Sequence, residues 1–160
     1  MIETNSSIPA GGDLVIAIGG AVMRWQDATQ TYDEAVGERL ELNAAERRCL
    51  AFLHGGQQSA GAIAAAIGLT PAAVTSLIDR LEGRGLLKRT RSVEDRRKVM
   101  VEITDAAASL TGRYYQPIAE EGARFLATFS EPELQTVLRF LEGALALQEK
   151  HLAALKNGKV

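Results

Sequence analysis

The sequence predicts a mainly α-helical fold with one small β-hairpin. Apolar residues recur at intervals of three and four along most of the chain, which is the spacing of a buried helix face. One segment near the middle instead alternates apolar and polar residues, as a strand does. Aromatic residues make up only 5% of the chain, while alanine and leucine are plentiful. This composition favours helices that pack through small side chains.

Bulk composition argues against several classes of protein. The chain has 160 residues, 46% of them hydrophobic, which is enough for one domain with an extension. Its single cysteine excludes an intrachain disulfide, and its two distant histidines argue against a zinc site. The apolar run Leu14–Val22 is too short to span a bilayer, and no Lys or Arg precedes it as in a signal peptide. We therefore expect a cytoplasmic protein without metal or cofactor.

The first third of the chain predicts two helices. The segment 1–12 is polar and carries glycine, so we expect it to be poorly ordered. Asp13 is a candidate N-cap for a long helix that ends near residue 40. Asn43 and Glu46, three residues apart, form a capping-box pattern that opens the second helix. A pair of glycines then ends this helix.

The following residues have the pattern of a helix-turn-helix. Ser59 is placed to cap a third helix, which Gly68 ends. Thr70 and Pro71 then open a fourth helix as its N-cap and first residue. One face of the fourth helix is apolar at positions i, i+3, i+4 and i+7, namely Val74, Leu77, Ile78 and Leu81. The fourth helix is therefore expected to turn its other face outward.

Two strands are predicted next, Leu86–Arg91 and Lys98–Ile103, joined by a polar turn over 92–97. This hairpin is basic. From Arg80 to Lys98 the chain has eight Lys and Arg against three acids, a local charge of +5, whereas the rest of the chain carries −7. One basic segment in a chain of net charge −2 is the electrostatic pattern of a nucleic-acid binder.

The C-terminal third predicts two more helices. Thr104 is placed to cap a fifth helix that ends near Phe129. Ser130 and Glu133 form a second capping box and open a sixth helix. Along the sixth helix, leucines recur at alternating spacings of four and three with one glutamine among them: Leu134, Leu138, Leu141, Leu145, Gln148, Leu152 and Leu155. This leucine seam could pack within the chain as core, but in so small a protein it favours packing against a second copy of the chain.

The helix-turn-helix and the basic hairpin together predict a surface that binds double-stranded DNA. The second helix of such a motif enters the major groove with its N-terminal residues at the base edges. Ala72 and Ala73 offer methyl groups to thymine there. Thr75 and Ser76 offer short hydroxyls, and Arg80 can reach phosphate or a guanine edge.

The hairpin tip is suited to the minor groove. Arg96 and Arg97 match the narrow, electronegative minor groove of A·T-rich DNA, and Asp95 can orient one of them. The full set of candidate DNA-binding residues is Thr70, Ala72, Ala73, Thr75, Ser76, Arg80, Arg89, Arg91, Asp95, Arg96, Arg97 and Lys98.

Each feature alone has a simpler interpretation. An apolar helix face can be ordinary core and a basic run can be a solvated surface, so only their ordered combination is specific. Cys49 lies on an apolar helix face, which favours packing over oxidation sensing. Trp25 and His54 could line a ligand pocket, but packing or a helix end explains them better.

The alternative function is a winged-helix module that binds protein instead of DNA. An enzyme ranks third, because no catalytic motif is visible.

Several short motifs follow one another in order: Leu42-Asn43-x-x-Glu46, Ile63-Ala64, Val74-Thr75, Asp79-Arg80-Leu81-Glu82, Gly85-Leu86-Leu87-x-Arg89, Asp95-Arg96-Arg97 and Ile103-Thr104. Together they resemble the MarR family of winged-helix transcription regulators, and the Asp95-Arg96-Arg97 motif is the most specific. The resemblance implies a homodimer that binds pseudo-palindromic operators, commonly released by small, often aromatic, ligands or by oxidants. It also implies that Arg97 reads the minor groove while Asp95 orients it. A repressor is the expected role.

The resemblance implies a winged helix-turn-helix fold flanked by dimerisation helices. The chain then divides into a flexible N-terminus at 1–12, a dimerisation helix at 13–41, a DNA-binding lobe at 42–104 and C-terminal dimerisation helices at 105–157.

Many relatives have arginine where this chain has Ser76, so weaker direct reading of the major groove is expected. Relatives that sense oxidants have a reactive cysteine in the first helix, which this chain lacks.

Overall fold

The computed structural model describes residues 11–91 and 99–158. The elements are α1 (Gly11–Arg39), α2 (Ala44–Leu53), β1 (Gln58–Ser59), α3 (Ala60–Ile67), α4 (Pro71–Gly83), β2 (Leu87–Arg91), β3 (Val99–Ile103), α5 (Asp105–Leu126) and α6 (Glu131–Lys156). The predicted mainly α-helical fold with a small β-hairpin is confirmed. The chain forms two compact units, one up to Leu110 and one from Thr111 onward.

The core of the first unit lies between α2, α3, α4 and the sheet. Leu53, Ile63, Leu81, Leu87 and Val101, one from each of these helices and from β2 and β3, are at most 2% exposed. Burying an apolar side chain this fully contributes about 1.5–3 kcal/mol. All four apolar positions predicted for α4 are buried, so the opposite face of α4 points outward.

Local hydrogen bonds fix the helix ends that the sequence predicts. Asn43 Oδ1 accepts from the Glu46 amide at 3.0 Å, and the Glu46 carboxylate accepts from the Asn43 amide at 2.8 Å. Thr70 Oγ1 accepts from the Ala73 amide at 3.3 Å at the start of α4. Gly68 ends α3 at φ 70°, in the left-handed region that favours glycine. Between α3 and α4 the chain bends by 108°.

The sheet has three antiparallel strands in the order β1-β3-β2, one more than predicted. The predicted pair is present, with Arg89 of β2 opposite Val101 of β3. The additional strand β1 pairs Gln58 with Val101 and Ser59 with Met100. Two residues are too few to show the alternation that marks a strand, and Ser59 also caps α3. The sequence therefore predicts the helix start there and misses the strand.

The second unit contains the rest of α5 and all of α6. Helix α5 ends at Leu126, three residues before the predicted end near Phe129. The predicted capping box of α6 is present, because the Ser130 amide donates to Glu133 Oε2 at 2.8 Å. Every leucine of the predicted seam except Leu134 is exposed. The leucine seam is therefore open to solvent in the single chain.

Two of the predicted loop segments fall partly or wholly outside the described residues. The polar turn at 92–97 is one of them. The poorly ordered segment 1–12 is the other, but Gly11 and Gly12 are described and are the first residues of α1. Within 11–91 and 99–158, no single helix is long and apolar enough to cross a membrane, although α3 and α4 taken together reach the required length and composition.

Candidate DNA-binding surface

The outward face of α4 begins with small side chains. Ala72, Ala73, Thr75 and Ser76 are all exposed. Thr75 Oγ1 donates to the Pro71 carbonyl at 3.0 Å, and Ser76 Oγ donates to the Ala72 carbonyl at 3.2 Å. Both hydroxyls therefore lie against their own helix. Short side chains held in this way let another macromolecule approach the helix backbone closely.

Arg80, predicted to reach DNA, also joins α4 to α2. Its Nε donates to Glu46 Oε1 at 2.6 Å; the Glu46 side chain is 4% exposed and that of Arg80 51%. Burial by itself raises the pKa of Glu46. Hydrogen bonds from Arg80 and the Asn43 amide, together with the charges of Arg80 and Arg84, outweigh burial and lower this pKa below its ordinary value. Glu46 is therefore ionised at neutral pH.

Arg89 fastens the first strand of the hairpin to α4. Its guanidinium donates to the carboxylates of Asp79 and Glu82, and its amide donates to Glu82 Oε1 at 3.1 Å. The hydrogen bond with Asp79, more than any other contact, raises the pKa of Arg89. Sequence reasoning missed both acids as partners of Arg89. The Asp79-Arg80-Leu81-Glu82 motif was the signal that could have pointed to them.

Arg84 joins the end of α4 to the residues that follow α1. Its Nη1 donates to the Glu41 carbonyl and its Nη2 to the Leu40 carbonyl, each at 2.8 Å. Glu41 has a φ of 52°, in the left-handed region. The partners lie 43 and 44 residues away along the chain, so no local pattern indicates the contact.

The remaining described cations of the hairpin differ in their surroundings. Lys88 Nζ lies 3.0 Å from Glu102 Oε1 on the neighbouring strand, and this hydrogen bond raises the pKa of Lys88. The Arg91 side chain is exposed and has no ion pair or hydrogen bond with any residue in the described ranges. The other predicted hairpin contacts, Asp95, Arg96, Arg97 and Lys98, lie outside the described residues.

A helix-turn-helix that carries a basic antiparallel hairpin is a winged-helix arrangement. The MarR family model matches residues 42–99. The HTH-type transcriptional regulator YfiV of Bacillus subtilis is 32% identical over 122 residues, which are 76% of this chain and 72% of YfiV. The chain belongs to the MarR family. YcgE of Bacillus subtilis, another HTH-type transcriptional regulator, is 27% identical over 130 residues, 81% of this chain and 84% of YcgE.

A solved MarR-family structure has the same fold. A MepR variant of S. aureus, bound to an oligodeoxyribonucleotide, matches with a TM-score of 0.52 and 22% identity over 79% of this chain and 93% of the MepR chain. MarR-family proteins are DNA-binding transcription regulators and not enzymes. This chain is accordingly a DNA-binding transcription regulator.

The structure also describes the three residues that the sequence left as possible sensing or ligand-binding positions, Cys49, His54 and Trp25. Burial, aided by the negative charge of Glu46, raises the pKa of Cys49 to about 11, and Cys49 is 0% exposed. His54 is the C-cap of α2, as expected for a helix end. Trp25, for which packing was the better explanation, is 60% exposed in the single chain. Among the residues that the structure describes, no three or more His, Cys, Asp or Glu side chains are grouped so that they could hold a metal ion.

Proposed function

We propose that this MarR-family regulator is a cytoplasmic homodimer that represses transcription by binding a pseudo-palindromic operator, and that a small aromatic ligand releases it. The observation that carries the proposal is the outward face of α4, which combines short side chains with firm anchoring. Arg80 anchors α4 to α2, Arg89 anchors it to β2, and Arg84 anchors it to the residues after α1. Because α4 is held at three points, it is already fixed in place before it enters the major groove of DNA.

The DNA contacts follow from this arrangement. Helix α4 is proposed to lie in the major groove with Thr70, Ala72, Ala73, Thr75 and Ser76 nearest the bases. Arg80 and Arg89, whose side chains are 51% and 34% exposed, retain surface for phosphates.

The hairpin is proposed to follow the duplex from the major groove toward the minor groove. Arg91, Arg96 and Lys98 are proposed to supply positive charge for this contact. Arg97 enters the minor groove and Asp95 orients it, as the family resemblance implies.

Apolar surface supports a dimer. Ile16 of α1, Ile118 of α5 and Leu145 of α6 are 75%, 51% and 60% exposed. Large apolar side chains exposed in this way on each unit favour an interaction surface there. We propose that residues 13–41 and 105–157 of two copies cover one another, and that the 42–104 lobes read the two half-sites of the operator. A two-fold axis then places the two α4 helices about one helical turn of DNA apart. The MepR structure, which contains an oligodeoxyribonucleotide, supports a duplex as the partner.

Selection of duplexes from a random pool tests the proposal, followed by affinity measurements over a series of salt concentrations. About three to five cationic phosphate contacts per subunit predict a log–log slope on the order of −5 to −9 for the dimer. Arg97→Ala should lower specific affinity by roughly 1–3 kcal/mol and relax the A·T preference at the site flanks. Arg139→Ala, which removes an exposed arginine of α6, is the matched control. A flat salt response would favour the protein-binding alternative.

Repression and ligand response need separate measurements. A reporter gene behind the selected operator should be transcribed less when the protein is present. A panel of aromatic acids and phenols should contain a compound that raises the melting temperature of the protein and weakens its operator affinity, because a ligand shifts the protein only if it prefers one state. If no compound changes either quantity, the ligand-responsive part of the proposal is wrong.

A further inference from the structure

We infer that α4 selects base pairs by their exocyclic amino groups, adenine N6 and cytosine N4, because two hydroxyls on its outward face, those of Thr75 and Ser76, are held as hydrogen-bond acceptors. This inference rests on the proposed function, in which α4 lies in the major groove, and it specifies the chemistry of that contact. It concerns Thr75 and Ser76, which stand where the bases would be nearest.

The hydroxyl protons of Thr75 and Ser76 are already donated within α4. A hydroxyl has one proton to donate and two lone pairs that accept. Thr75 Oγ1 directs its proton to the Pro71 carbonyl at 3.0 Å, and Ser76 Oγ directs its proton to the Ala72 carbonyl at 3.2 Å. Hydrogen bonds to the carbonyl four residues earlier are a common state of Ser and Thr within helices. The sides of these hydroxyls that face away from the helix therefore present lone pairs.

A carboxylate on the same face has the same polarity. Asp79 follows one turn after Thr75 and is an acceptor when ionised; its carboxylate is held by Arg89. Several donors nearby are absent or already engaged, and the N–H groups of Arg80 that Glu46 leaves free are proposed to face phosphates. Pro71 has no N–H, the Ala73 amide donates to Thr70 Oγ1, and Arg80 Nε donates to Glu46. The Thr75 and Ser76 hydroxyls, held as acceptors, require donors on the DNA.

In the major groove, donors come only from adenine N6 and cytosine N4. Guanine presents the acceptors O6 and N7, which would meet the lone pairs of Thr75 and Ser76 without a proton between them. An A·T pair also presents the thymine methyl group, which matches the Ala72 and Ala73 methyls in the preceding turn. The recognition helix should therefore prefer A·T pairs, with cytosine tolerated and guanine excluded at the strand edge that it faces.

Base analogues test the inference in a duplex already selected by the full chain. Each adenine is replaced in turn by purine deoxyriboside, and each cytosine by 2-pyrimidinone deoxyriboside, so that single amino groups are removed. At one or more base pairs per half-site, the loss should weaken binding by the wild type roughly two- to tenfold, the contribution of one hydrogen bond. The same analogue should weaken binding by Thr75→Val or Ser76→Ala no further, because the acceptor is already gone.

Thr136→Val is the matched control. Thr136 Oγ1 makes the same bond to a proline carbonyl four residues earlier, Pro132, at 3.0 Å, but on α6. This variant should keep the wild-type sensitivity to amino-group removal. Thermal melting of all three variants checks that they fold. Because Thr75 and Ser76 are exposed, the melting temperatures should stay close to that of the wild type.

Two results would overturn the inference while leaving DNA binding intact. In the first, amino-group removal has no effect at any position, or has the same effect in the wild type and in both hydroxyl variants. In the second, 7-deazaguanine, which lacks the N7 acceptor, weakens the wild type but not Thr75→Val or Ser76→Ala; the hydroxyls would then be donors. If the protein binds no duplex selectively, the proposed function fails and this inference fails with it.

Discussion

Arg80 Nε and Glu46 Oε1 lie 2.6 Å apart and connect α4 to α2 at a carboxylate that is 4% exposed. The second oxygen of Glu46 accepts from the Asn43 amide at 2.8 Å and closes the capping box of α2. One carboxylate therefore bonds both the N-terminus of α2 and an arginine of α4. The orientation of α4 depends on this shared group.

Arg80→Ala should destabilise the fold, because it removes one partner from a buried carboxylate. We expect the free energy of unfolding to fall by about 1–3 kcal/mol, less than for a fully buried pair since Arg80 is half exposed. Urea denaturation measures this change. Arg91→Ala, which removes a cation with no described side-chain partner, should change stability by less than about 0.5 kcal/mol. Equal effects of the two substitutions would contradict a structural role for the Glu46–Arg80 pair.

Glu46 should make stability depend on acid pH. The pKa of Glu46 is lower in the folded chain than its ordinary value of 4.5, so the unfolded chain binds this proton more readily. The stability that Glu46 contributes is present above the unfolded pKa and is lost as the pH falls through the folded pKa. Glu46→Gln should therefore be less stable than the wild type at pH 7, and the difference should shrink below about pH 4.5.

Denaturation curves at a series of pH values between 7 and 3 measure this difference. Glu142→Gln, at an exposed position of α6, is the control and should follow the wild type closely at every pH. If the Glu46→Gln and wild-type stabilities stay parallel down to pH 3, Glu46 is not a source of the acid dependence.

Arg84→Lys should loosen the residues that follow α1. A lysine ammonium lacks the planar fork with which a guanidinium bonds two neighbouring carbonyls, so one of the bonds to Leu40 and Glu41 is lost. Amide hydrogen exchange should accelerate at Leu42, whose N–H donates to the Gly37 carbonyl in the same turn. Arg84→Ala should accelerate it further. Exchange at Ala73, at the far end of α4, should change less, and uniform acceleration would indicate general destabilisation instead.

Cys49 should react slowly in the folded protein. With a pKa of about 11, roughly one thiol in 10,000 is ionised at pH 7, and the side chain is 0% exposed. Iodoacetamide labelling followed by mass spectrometry should show little modification until urea unfolds the chain. Because the sequence has a single cysteine, any label reports on this site. Rapid labelling of the folded protein would support oxidation sensing over packing.

Leu141→Asp should dissociate or unfold the proposed dimer, because it places a charge within the leucine seam. Ala146→Asp introduces the same charge at an exposed position of α6 outside the seam and should leave the dimer intact. Sedimentation velocity at micromolar concentration distinguishes the two variants. A folded wild-type monomer at that concentration, or equal effects of both substitutions, would show that the seam is not the dimer contact.

The sequence predicted features that depend on neighbouring residues and missed those that join distant ones. The caps at Asn43, Ser59 and Thr70 were predicted correctly because each side chain bonds an amide two or three residues ahead. The apolar face of α4 was predicted for the same reason. Strand β1 was missed because its two residues become a strand only when β3 lies beside them.

In the candidate DNA-binding surface, too, features set by neighbouring residues were predicted and contacts between distant residues were not. Thr75 and Ser76 were placed on the outward face of α4 from periodicity alone. The partners of Arg80, Arg84 and Arg89 were not predicted, since Glu46 lies 34 residues from Arg80 and the Glu41 carbonyl 43 residues from Arg84. A cation count cannot distinguish an arginine that is available to phosphate from one that holds two helices together.

The guanidinium of Arg84, which lies 43 positions after Glu41, closes the chain between these two residues into a ring. Helices α2, α3 and α4 all lie within this ring. The entropy cost of closing a ring grows only with the logarithm of its length, so a ring this long costs little more to close than a shorter one. The residues after α1 and the end of α4 are consequently joined directly through one side chain, and not only along the backbone of the entire helix-turn-helix.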